Sequence, residues 1–139
     1  MYVWCDLVPE LHHKSAKDIC LGTEGTLCVI LITSERPTRA LKDEFEALNA
    51  KYDRKIERGT KYKFMWLNGA LEKAWASIFG YSGSDLVVVL NPGKRKRFTP
   101  HEGPISKDAV SVTLETIIGG NARFNRVSDN LPAFEIRTE

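Results

Sequence analysis

The chain has 139 residues, 42% hydrophobic and 27% charged, a globular composition long enough to bury one core without a metal or several disulfides. Its formal charge of +2, from 20 basic and 18 acidic residues, is too small to imply a nucleic-acid or anionic-membrane partner. No apolar stretch approaches the roughly 20 residues of a membrane span, and Met1-Tyr2-Val3-Trp4-Cys5-Asp6 lacks the basic and apolar segments of a signal peptide. The chain is therefore expected to be either cytosolic or a piece of something larger.

In chain order, Asp6-Leu7-Val8 suits an edge strand and Ser15 to Leu21 a brief helix that Gly22 ends. Leu27 to Thr33 is apolar on both faces, as a central strand covered by helices on each side would be. Pro37 fits the first turn of the next helix, where its missing N–H has no partner to lose. Leu41, Phe45, Leu48, Tyr52 and Ile56 then recur at helical spacing and draw one apolar stripe towards Gly59.

Tyr62 to Leu67 reads as a second strand, and Leu71, Trp75, Ile78 and Phe79 mark a helix stopped by Gly80. Leu86 to Leu90 is a strand that meets the turn signal Asn91-Pro92-Gly93, so Lys94 to Thr99 is expected as its hairpin partner. Ser106 suits the N-cap of a last helix carrying Val110, Leu114, Ile117 and Ile118, which Gly119-Gly120 ends. The expected fold class is α/β, thioredoxin-like, a central mixed β-sheet flanked by helices on both faces. Residues 1–120 form the domain and residues 121–139 a tail without clear period, which either packs back on the sheet or stays exposed.

The junction after Thr33 is Ser34-Glu35-Arg36-Pro37, without a thiol. In open α/β folds the carboxyl end of a central strand is where chemistry usually sits, and a thiol pair there would read as an oxidoreductase. A hydroxyl, two opposite charges and a proline cannot exchange thiols, so binding is expected before catalysis.

Several words of the sequence carry a resemblance: Pro9-Glu10-Leu11, Ile19-Cys20 followed by Leu27-Cys28-Val29, Asp53-Arg54-Lys55, and Leu71-Glu72 before Phe79-Gly80-Tyr81. In the tail they are Gly119-Gly120-Asn121-Ala122-Arg123 and Leu131-Pro132-Ala133-Phe134-Glu135-Ile136-Arg137. Through these the chain resembles the C-terminal, redox-inactive thioredoxin-like domain of protein disulfide isomerases that carry two active domains followed by one inactive domain. The resemblance implies a folding factor of the endoplasmic reticulum lumen whose Cys-x-x-Cys motifs lie in preceding domains. It also accounts for the missing signal peptide and for an end at Glu139 without a retention tetrapeptide. The implied role is non-catalytic: binding unfolded or partly folded clients, or a luminal Hsp70-type chaperone, with no cofactor.

Read alone, Cys20 and Cys28 suit two buried free thiols better than a bonded pair. The resemblance and its oxidising compartment imply a structural disulfide, which in the chain-entropy model would stabilise by about 2.5 kcal/mol. Cys5 is left over. No proline stands in Tyr81-Ser82-Gly83-Ser84-Asp85, where active thioredoxin domains place a cis proline, so a trans loop is expected at Asp85. His12, His13 and His101 read as solvated or capping residues and no metal site is expected. Lys94-Arg95-Lys96-Arg97 reads as an edge strand guarded by charge in preference to a nucleic-acid patch. Trp66 and Trp75 are expected in the core. Trp4 with Leu131, Phe134 and Ile136 would form a protein-binding patch if exposed together. Two other functions remain open: a thiol oxidoreductase using Cys20 and Cys28, and a cytosolic thioredoxin-like adaptor.

Overall fold

A computed structural model describes residues 11, 26–34, 39–52, 61–81, 83, 85–91, 97–101, 105–119 and 124–126. The elements are β1 (Thr26–Thr33), α1 (Arg39–Tyr52), β2 (Lys61–Asn68), α2 (Lys73–Ile78), β3 (Leu86–Asn91), β4 (Arg97–Pro100), α3 (Lys107–Ile118) and β5 (Asn125–Arg126). They build one mixed sheet of order β2-β1-β3-β4-β5, with β1 and β2 parallel and the remaining pairs antiparallel. This is a thioredoxin-like α/β fold, with helices on both faces.

The alternation of β1 divides the core in two. Cys28, Ile30 and Ile32 face one side and pack with Met65, Leu67, Val88 and Leu90 beneath Trp75, Ala76 and Phe79 of the α2 region. Val29 and Leu31 face the other, with Phe64, Val87 and Val89 beneath Phe45, Leu48 and Tyr52 of α1 and Val110 and Leu114 of α3. Both sets are solvent-free because β1 is central and covered twice, which is why it reads as an unbroken apolar run. Trp75 fills the core as expected, whereas Trp66 is only half-buried at its margin.

The hairpin departs from expectation. The described part of β4 pairs Arg97 with Asn91 and runs to Pro100 opposite Val88, one residue past the Lys94 to Thr99 strand anticipated. A tight turn at Pro92-Gly93 would set Leu90 opposite Arg95 and Val88 opposite Arg97, aiming two guanidinium groups at the α2 face. The observed register sets Phe98 opposite Leu90, with its ring 5.0 Å from that of Phe79. Residues 92–96 lie outside the described residues, and Arg97 does not guard an open edge: it pairs with Arg126 of β5. At the opposite edge the buried Leu11 donates its backbone N–H to the carbonyl of Trp66 in β2 at 2.7 Å.

The helix ends follow local chemistry. Ser106 caps α3, its hydroxyl accepting from the Ala109 N–H at 3.2 Å, as expected, while the Glu44 carboxylate of α1 accepts from the Lys107 N–H at 2.6 Å. Gly80, at φ +80°, closes α2: its N–H donates to the Ser77 carbonyl and that of Tyr81 to the Ala76 carbonyl. The expected edge strand and helix before Gly22, Pro37, and the continuation of α1 to Gly59 lie outside the described residues.

Candidate binding site at the carboxyl end of the central strands

Strands β1 and β2 end together, Thr33 opposite Asn68. Thr33 is buried and Ser34 exposed. The Thr33 carbonyl accepts from the Gly69 N–H at 2.6 Å, which ties the two strand ends into one corner. The turn into α2 is built by Asn68, whose side-chain Oδ1 accepts from the N–H groups of Ala70 and Leu71 and whose carbonyl accepts from Glu72 N–H at 2.8 Å. That turn lifts Leu71 into solvent, half-exposed, beside the corner. Leu71 was expected on the apolar stripe of the helix; the helix begins two residues later, because Asn68 takes up the backbone donors of the preceding turn.

Gly69 is required by close approach. A Cβ there would lie 2.7 Å from Tyr81 Cε2 and 3.1 Å from Ile32 Cγ2. The Tyr81 ring therefore lies flush on the strand end. Its hydroxyl is buried, and it is the buried side-chain polar atom among the described residues that has no hydrogen-bond partner. Sequence reading missed this pair, and the one available signal was a glycine directly after a strand with a tyrosine following a helix-ending glycine.

The chemistry the corner can supply is limited to hydroxyls, an amide side chain and apolar surface. Cys28 is five residues upstream, solvent-free in the middle of β1 and disulfide-bonded. Its partner lies outside the described residues, as do both Cys5 and Cys20. A bonded thiol inside the sheet has no route to a substrate at the strand ends.

Other candidates fall elsewhere. His101 is not solvated: it is buried at the end of β4, with Nδ1 2.6 Å from Thr113 Oγ1 of α3 and its backbone N–H donated to the Val87 carbonyl. An imidazole can turn inward here because a helix hydroxyl meets it. Asp85 is exposed before β3, and the Ser84 side of its peptide bond lies outside the described residues. So do His12, His13, Lys94 to Lys96, Trp4, Leu131, Phe134 and Ile136. Among the described residues no three of His, Cys, Asp or Glu gather into a metal-binding group, and no helix is long and apolar enough to cross a membrane.

Fold and corner together define a thioredoxin-like domain with no thiol where β1 hands over to α1. No protein-family model matches the chain, and no curated protein is significantly similar to it.

Proposed function

We propose that this chain is the non-catalytic thioredoxin-like module of an endoplasmic reticulum protein disulfide isomerase, contributing client or partner binding to oxidative protein folding. The observation that carries the reading is the pairing of a closed strand-end corner with a thiol-free junction, Thr33 to Pro37. A corner that cannot exchange sulfur bonds still offers surface, with Leu71 exposed beside it. The bonded state of Cys28 suits an oxidising lumen. By the resemblance its partner is Cys20. The ligands would be extended or partly folded polypeptides, or a luminal Hsp70-type chaperone.

The test is binding of reduced, carboxymethylated lactalbumin, which stays unfolded, followed by fluorescence anisotropy. Saturable binding by the wild-type chain that a folded lactalbumin does not compete for is expected; equal competition by the folded form contradicts the reading.

A further inference from the structure

Asn68 is the one asparagine of the chain that a glycine follows, and the strand-end corner is built around that pair. The backbone nitrogen of the next residue can attack an asparagine side chain. Glycine hinders that attack least, because it has no Cβ to crowd the ring that closes.

The corner treats the two ends of this reaction oppositely. Its carbonyl end is activated: Asn68 Oδ1 accepts from the N–H groups of Ala70 at 3.0 Å and Leu71 at 3.2 Å, an arrangement that would stabilise the negative oxygen formed during attack. The nitrogen end is locked. Gly69 is buried, its N–H is donated to the Thr33 carbonyl at 2.6 Å, and the Tyr81 ring stands against it. The nitrogen has to shed its proton and turn towards the side chain, and it can do neither while that hydrogen bond holds.

We propose that Asn68-Gly69 is a latent self-modification site, held off by the hydrogen bond from Gly69 to Thr33 and released when the ends of β1 and β2 part. In the open corner the Gly69 nitrogen bonds to Asn68 Cγ as the bond from Cγ to Nδ2 breaks. The Gly69 proton passes through solvent to the departing nitrogen, which leaves as ammonia. Water then opens the cyclic imide. Its attack at the backbone carbonyl of residue 68 breaks the bond to the Gly69 nitrogen and leaves the chain running through Cγ, as isoaspartate. The extra backbone carbon displaces Gly69 from Thr33, so a converted corner stays open, with a new carboxylate near exposed Leu71. The site thus records time spent open, and it stands independently of the client-binding reading.

The test follows isoaspartate at residue 68 by peptide mapping, and Gly69 amide exchange by NMR, in the full chain from buffer to unfolding urea. Conversion in buffer is expected to be at least on the order of tenfold slower than in the unfolded chain, and to rise with urea in step with Gly69 exchange. Equal rates in folded and unfolded protein, no conversion in unfolded protein, or conversion that does not follow Gly69 exchange overturns the lock. Freshly purified Asn68→Asp keeps an oxygen for Ala70 and Leu71 on an ordinary backbone and is expected to melt at or above the wild-type Tm. Protein converted in urea and refolded is expected to melt lower; isoaspartate protein that melts with the wild type overturns the trapped corner.

Discussion

The hydroxyl of Tyr52, at the end of α1, lies 3.1 Å from Ser111 Oγ of α3 and donates to the Glu115 carboxylate one turn further on. Lys51 Nζ donates to the same serine at 2.6 Å, and the Tyr62 hydroxyl donates to the Leu114 carbonyl at 2.8 Å. The two helices on this face are thus joined by a polar seam laid over an apolar floor. Tyr52 is almost fully buried, so its hydroxyl cannot fall back on water if a partner is lost. Tyr52→Phe should destabilise by about 1–2 kcal/mol. Ser111→Ala should cost a similar amount, and the double variant less than the sum, because the residues share partners. Urea titrations of the four proteins check this; strict additivity would contradict the shared seam.

At the start of α3, Ser106 and Glu44 each accept one N–H of the first turn, from Ala109 and Lys107 respectively. Ser106→Ala should cost about 1 kcal/mol. Glu44→Gln keeps an acceptor and loses only the charge beside the helix dipole, and so should cost less, about 0.3–1 kcal/mol. Thermal unfolding at low salt ranks the two.

Gly69→Ala places a methyl group 2.7 Å from Tyr81 Cε2 and within 3.1 Å of Ile32 Cγ2. The ring must lift, and a loss of about 1–3 kcal/mol is expected. Tyr81→Ala in the same chain should recover much of that loss, since the colliding ring is gone. Equal losses with and without the ring would show that the strain lies elsewhere.

The bonded state of Cys28 bounds the thiol count. With three cysteines in the chain, alkylation of the folded protein without reductant should add no more than one label. Intact-mass measurement checks this, and peptide mapping tests the proposed Cys20 to Cys28 connection. Three labels on folded protein would mean that Cys28 carries a free thiol.

The sequence showed most where one physical rule dominated. The run through β1 announced a strand buried on both faces because the six consecutive apolar residues from Leu27 to Ile32 are rich in β-branched side chains and too few for a core helix. The stripe through Phe45, Leu48 and Tyr52 marked the buried face of α1, and Ser106 marked the start of α3. The hairpin was misplaced because Asn91-Pro92-Gly93 is a strong local signal, whereas the register is set at a distance by Phe98 reaching Phe79. β5 escaped notice because two residues give no periodicity. Tyr81 looked like loop punctuation, since its meaning lies in contact with Gly69, twelve positions earlier. Ser111 was hidden inside an apolar helix pattern, and only the approach of Tyr52 explains a hydroxyl there.

Turbidity of insulin in the presence of dithiothreitol measures disulfide reduction directly, and it bears on the whole account more than any binding titration. The chain is expected to leave the rate at that of dithiothreitol alone, because its strand-end corner holds no thiol and Cys28 is sealed in the sheet. Catalytic acceleration that disappears on Cys28→Ser would contradict it.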